Sequence, residues 1–317
     1  MLKINYYKFF TSFLLFLPLI SIGQQAPVFT HYNYSKVYIN PASAGMGDGI
    51  CINGIARQQW SGFKDIDGNN IAPQTFMISG DSPIKVLHGG IGGSITQDKL
   101  AQWSDVSVQL AYSFQLDMAM GQLGIGAGIN LINRSIDFSA FNPFQDNDPV
   151  LLNSQQSSMV FDANLGLFYR SPDRFYLGVS ATNILQTAAK KLTANDVGVK
   201  NDRTLYIMGG YQVMFPNNPN FEIEPSILIQ SDIYSTQYNL SAIVKYNNRF
   251  WGGLNYRFQE SIGVLIGMKF KEFRIGYSYD IPTLTVGVPG SHEIHLGYCF
   301  KLDMDKSGTR YKNTRYL

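Results

Sequence analysis

Ser261-Ile262-Gly263-Val264-Leu265-Ile266-Gly267-Met268-Lys269-Phe270 alternates apolar residues with small or polar ones almost without fault. Ile262, Val264, Ile266, Met268 and Phe270 form the apolar set, Ser261, Gly263, Gly267 and Lys269 fall between, and Leu265 is the large exception. After Lys271-Glu272 the pattern returns as Phe273, Ile275, Tyr277, Tyr279 and Ile281 against Arg274, Gly276, Ser278 and Asp280. It closes with Ile294, Leu296, Tyr298 and Phe300 against His295, Gly297 and Cys299. A period of two puts each set on one face of a β-strand.

The second face decides the class. In a soluble sandwich it would carry long Lys, Glu and Arg side chains; here it is Gly, Ser and sparse charge of both signs, and the apolar face ends in aromatics. A barrel in lipid requires that combination: an apolar outer band, aromatic girdles and a polar interior. The expected fold is all-β, a transmembrane antiparallel β-barrel.

No composition break or Pro/Ser-rich linker divides the 317 residues, so one domain is expected. A formal charge of +2 without a basic cluster argues against nucleic acid as a partner. Lys3 and Lys8, an apolar run from Phe9 to Ile22 and the small residues of Ser21-Ile22-Gly23 predict a cleaved secretory signal over residues 1–23. No later stretch is long and apolar enough to span as a helix, which leaves a barrel as the way into a membrane.

Residues 24–49 read as an ordered arm, periplasmic or lumenal, with turn chemistry at Asn40-Pro41-Ala42-Ser43-Ala44-Gly45. The barrel is expected over residues 50–301 and a basic, Tyr-containing tail over 302–317. Strand-like segments fall near 50–60, 74–81, 89–96, 105–116, 122–134, 159–170, 174–183, 203–215, 221–230, 237–246 and 250–258, before the three already quoted. The total of about fourteen is even, as a closed bacterial barrel with both ends on one side requires. Short turns near Ser171, Pro216, Asn247 and Lys271 interleave with loops near Phe63, Gln97, Phe141, Gln186 and Thr283, the asymmetry of periplasmic turns and extracellular loops. Such a bore is wider than side chains alone fill, so water, an inserted loop or the arm must occupy it.

By parity Arg57, Asp162, Arg170, Glu222, Glu224, Lys245, Arg257, Lys269, Arg274 and Asp280 point inward, where mixed signs suggest a solvated ion-pair network. His292 and His295 are three apart on a strand and face opposite ways, unlike a helical zinc pair. Gly124, Gly126 and Gly128 do not have the spacing of a dinucleotide fingerprint, and no helix follows them. No nucleophile-base-acid signature, cofactor motif or metal set appears, and no enzymatic activity is expected. Cys51 opens the first strand and Cys299 ends the last, so a disulfide across the closing seam is a geometric possibility in an oxidising compartment.

Three stretches resemble the PorP/SprF family of type IX secretion outer-membrane proteins: Tyr38 to Gly45, Arg57-Gln58-Gln59-Trp60-Ser61-Gly62-Phe63, and Ala72-Pro73-Gln74-Thr75. Gly89 to Lys99, Tyr112-Ser113-Phe114 and His292 to Phe300 fit as well, so the likeness covers essentially the mature chain. The resemblance marks Asn40, Pro41, Gly45, Arg57, Trp60, Gly62 and Phe63 as candidate partner or motif residues. It implies a non-enzymatic barrel in gliding or type IX-secreting bacteria that serves export or surface attachment of large adhesin-like cargo. Outer-membrane lipids, secretion components and that cargo would be its partners; a porin or substrate-specific channel for small solutes or lipids is the alternative. Departures are a long link from Lys64 to Ile71, Ala101 where Gly is common, and the tail beyond Phe300.

Overall fold

A computed structural model describes residues 26–47, 49–65, 68–138, 154–171, 175–190, 198–283 and 288–301. The expected leader at 1–23 and tail at 302–317 lie outside these residues, as do parts of the loops near Phe141, Gln186 and Thr283 and the turn after Ser171.

Fourteen antiparallel strands close into a barrel. They are β1 (Gly49–Gln58), β2 (Gln74–Ile84), β3 (Gly89–Leu100), β4 (Trp103–Met118), β5 (Gly121–Asp137), β6 (Gln155–Arg170) and β7 (Phe175–Thr182). β8 (Thr204–Tyr211), β9 (Phe221–Ser231), β10 (Thr236–Tyr246), β11 (Phe250–Arg257), β12 (Ser261–Phe270), β13 (Phe273–Pro282) and β14 (Ser291–Lys301) complete the wall. Each pairs with its sequence neighbour, and β1 pairs with β14 from Gly49↔Lys301 to Gln58↔His292. Val213–Met214 prolong β8 in the same register after a gap opposite Pro225, whose missing N–H interrupts the ladder.

The alternation read in the closing segments is the alternation of the wall. Ile262, Val264, Ile266, Met268 and Phe270 are exposed to the outside, as are Phe273, Ile275, Tyr277, Tyr279 and Ile281. Ser261, Ser278, Asp280, Glu293 and His295 are buried within, and so is the exception Leu265. Aromatic pairs stand at both rims of the outer face: Phe221–Tyr246 and Phe273–Tyr298 at one, Tyr238–Phe258 and Tyr256–Phe258 at the other. They occupy the girdle positions where an amphipathic ring is stable between lipid and water.

Tight turns cluster at the end of the barrel that holds both Gly49 and Lys301. There, Asn247 and Asn248 take φ of 51° and 53°, and Arg249 N–H reaches Tyr246 O at 3.0 Å, the mirror-image turn that suits a twisted hairpin. This short-turn end is periplasmic in barrels of this kind. One expected extracellular loop differs. Residues 97–104 do not leave the sheet: β3 and β4 stay paired through Asp98↔Asp105 and Lys99↔Ser104 to a turn at Ala101-Gln102. Beyond the lipid both faces of a hairpin are wet, so apolar alternation stops before the strand does. Ala101 sits there at φ 51°, a left-handed position at which glycine carries no Cβ penalty.

Cys51 and Cys299 are direct partners across the β1–β14 seam, with their sulfurs 2.15 Å apart in a disulfide. Its sequence separation is 248 residues. Free-thiol labelling of the folded, unreduced protein should therefore find neither cysteine, and labelling after reduction should find both. Replacing both by Ala should cost about 2–4 kcal/mol of unfolding free energy, read from denaturant titration, because the link restricts the unfolded chain.

Candidate functional site

The segment before β1 folds inside the barrel. It makes a 3-10 turn at Tyr32–Tyr34, one α-turn at Lys36–Ile39 and a second 3-10 turn at Pro41–Ser43. Asn40 starts the last by accepting Ala42 N–H at its Oδ1, 2.9 Å away, and Pro41 stands where no N–H is needed. Its Nδ2 donates to Leu167 O at 2.9 Å and tethers the turn to β6.

A backbone this irregular needs partners inside the lumen. The wall supplies them from inward side chains: Gln109 donates to Val37 O at 3.2 Å, Ser113 to Ala42 O at 2.7 Å, Gln115 to Ala44 O at 3.1 Å and Ser180 to Ile39 O at 2.7 Å. Gly45 N–H donates to Asp81 Oδ2 at 3.0 Å. The inward polar residues of β4 are thus rungs that hold the arm, not a coating for water.

Close approach explains the glycines. At Gly126 a Cβ would run into the backbone of Ala42, and at Gly90 it would meet Gly45 Cα and Ala44 O at 2.5 Å. Gly45 also takes φ 64°, which no other residue adopts as cheaply. Ile39, Ala42 and Met46 then pack with Phe168, Tyr206, Met208 and Leu228 of the wall, forming an apolar core inside a polar lumen.

The other end of the arm is pinned by charge. Glu293, fully buried, accepts Thr30 N–H at 2.9 Å, His31 N–H at 2.7 Å and Arg57 Nη1 at 3.1 Å, and its Oε1 lies 2.8 Å from His31 Nδ1. Asp280 accepts Thr30 Oγ1 at 2.8 Å and Arg57 Nη1 at 2.6 Å. Arg257 donates to Glu260 at 2.5 Å and to Thr30 Oγ1 at 3.3 Å. Behind this cluster the rings of His31, Tyr34 and His295 stack. Strand direction places it in the half of the lumen away from the short turns.

The network differs from the solvated one expected. Arg57, Arg257 and Asp280 keep 3%, 1% and 2% exposure, because the arm has displaced the water. Lys245 does sit among Glu222 and Glu224 near solvent, at 3.0 and 2.5 Å. Asp162 is outside the network: its Oδ1 accepts Leu185 N–H at 2.9 Å and ties down the loop after β7.

The motif residues therefore do not form one site. Asn40, Pro41 and Gly45 seat the arm on the glycines, and Arg57 pins it on the opposite wall. Trp60, Gly62 and Phe63 build the extracellular turn after β1: Trp60 and Gly62 take φ of 45° and 91°, and the Trp60 and Phe63 rings meet edge-on at 6.1 Å. Ser61 N–H fastens that turn to Gly290 O at 2.9 Å. Glu293 and Glu260 are the pinning residues that the inward set above omits. Parity with His295 places Glu293 inside, whereas Glu260 lies in a turn that parity does not reach.

A model of the family described as type IX secretion system membrane protein PorP/SprF matches residues 21–298. The chain belongs to the PorP/SprF family. This PorP/SprF barrel is an outer-membrane protein of the type IX secretion class. No curated protein matches it by sequence. Solved structures with similar barrels include the toluene transporter TbuX of Ralstonia pickettii, at 12% identity over 84% of this chain and 93% of that one, TM-score 0.49. A Pseudomonas aeruginosa FadL homologue gives 11% over 84% and 94%, TM-score 0.45, and the Acinetobacter baumannii outer membrane protein Omp33 gives 8% over 81% and 100%, TM-score 0.45.

Proposed function

We propose that this protein is a non-enzymatic barrel that assists the export or surface attachment of particular large adhesin-like cargo, in a gliding-associated branch of type IX secretion. Family membership supports the secretion role, and the filled bore supports the finer reading. Among the described residues an arm held by wall rungs, close glycine contacts and a dry ion cluster occupies the lumen that a porin leaves to water. Cargo is then engaged at the extracellular loops or through the arm rather than passed down the lumen. A porin for small solutes or lipids would need the arm to leave. Signal cleavage after Gly23 delivers the chain to the periplasm before assembly.

The test is a gene deletion with surface and supernatant proteomes compared against the parent strain. Loss of one or a few large secreted proteins, roughly tenfold or more, with other type IX cargo still exported, is expected. Unchanged proteomes with altered solute uptake would leave a channel instead.

A further inference from the structure

At the short-turn end, between arm and wall, lies a cavity of about 340 Å³. Its charges are arranged unlike those of the rest of the lumen. Farther from the short turns Arg57 meets Asp280 and Arg257 meets Glu260, and at the cavity's edge Lys245 holds Glu222 and Glu224. In the cavity Lys36 holds its ammonium 3.8 Å over the Tyr176 ring, and Arg274 its guanidinium 5.1 Å over the Tyr34 ring. Among the described residues neither has a carboxylate within ion-pairing distance.

Arg274 moreover faces Lys269 directly across the β12–β13 ladder, a like-charge pair that costs stability unless an anion lies between or beside it. The two carboxylates in the lining are already engaged, Asp81 by Gly45 N–H and Glu224 by Lys245 at 2.5 Å. Burial, with Arg170 and Lys245 nearby, pushes the Lys36 ammonium down to about 8 against the opposing pull of Glu224 and Asp81.

We propose that this cavity binds a carboxylate carried on an apolar or aromatic stem, as at the C-terminal end of a peptide entering from the periplasm, with Lys36 and Arg274 as its cationic contacts. The volume is at the small end of ligand pockets and takes one or two residues of such a chain. Val37, Met46 and Phe168, all buried, supply apolar walls for the stem. Ser171 and Gln212, at the strand ends, mark its opening toward the short turns. Both cations stack on rings inside the barrel wall, Lys36 from the arm, so a carboxylate meets them only by entering the lumen. The site does not rest on the secretion reading: the barrel would bind such a peptide whatever cargo it serves.

The experiment uses the full chain in detergent and a fluorescently labelled, N-acetylated tripeptide ending in phenylalanine, followed by polarisation. The free acid should bind at least about tenfold tighter than the C-terminal amide, the scale of a charge-assisted hydrogen bond. Lys36→Met and Arg274→Gln should each weaken the acid by about the same factor, with heat-modifiable migration on gels showing that the barrel is intact. Should Arg274→Gln fail to assemble, the acid-against-amide comparison on the unaltered protein and Lys36→Met still decide. Equal affinity for acid and amide, or no loss in Lys36→Met, overturns the proposal. So does displacement of the acid by inorganic phosphate at equal concentration, which would make this a site for simple anions.

Discussion

A chain lacking residues 26–47 is expected to conduct ions in planar bilayers, in sustained steps, where the intact protein carries none. The wall does not need the arm for closure: β1 and β14 pair over their full length, and every neighbouring pair is laddered. What the arm supplies is the filling. Barrels of eight strands are filled by their own side chains, and those of sixteen to eighteen leave a water channel, so fourteen strands emptied of the arm leave a bore. Removing it also frees Gln109, Ser113, Gln115 and Ser180 to bind water. The glycine-lined stretch of β3 and β5 then presents bare backbone and widens the path. Retained heat-modifiable migration would show that the shortened chain still folds. Equal current from both forms would mean that the arm does not close the bore, and would return the protein to the channel reading.

How much of this was legible beforehand depended on where the physics repeats. The strands were, because lipid on one side and a polar lumen on the other impose the same period of two from Ile50 to Phe300. The even count and the short turns at Asn247 and Lys271 followed from the same rule. Where the hairpin at Ala101 rises above the lipid the rule lapses, and so did the reading of 97–104. The arm was harder. Asn40-Pro41 announces a turn but not the wall on which it docks. Gly124, Gly126 and Gly128 announce a thin face but not that Ala42 lies against it. Those contacts join residues tens to hundreds of positions apart, as between Thr30 and Glu293, and no local period encodes them. Arg57 was identifiable as inward and as a motif residue; its burial against Asp280 required knowing that the arm excludes water.

Glu293→Ala should unseat the leading part of the arm at a cost of about 3–5 kcal/mol, the usual penalty for leaving a buried cation with too little compensation. The substitution orphans Thr30 N–H, His31 N–H, the His31 ring and one contact of Arg57 together. Asp280 still holds Arg57 at 2.6 Å but cannot also reach the two backbone donors, which lie on the Glu293 side. A cysteine introduced by Val28→Cys then reports release: maleimide from outside the cell should label it slowly in the parent and at least about tenfold faster with Glu293→Ala.

The decisive arm is the double variant. Arg57→Met removes the cation that Glu293 compensates, and by itself it should be about as damaging, because two carboxylates are left facing each other. Arg57→Met combined with Glu293→Gln leaves a neutral amide that accepts one backbone donor and packs against an apolar side chain. If the cluster acts as one unit, the double variant should be less destabilised than the sum of the single ones by more than about 1 kcal/mol, the coupling expected of charges in direct contact. Additive losses would mean that the ion pair is incidental, and that the arm is held by the glycine contacts and wall rungs at its other end. That outcome would also move the expected release point, since an arm anchored only at Asn40 to Gly45 opens from its leading end and carries Tyr34 and Lys36 away from the periplasmic cavity.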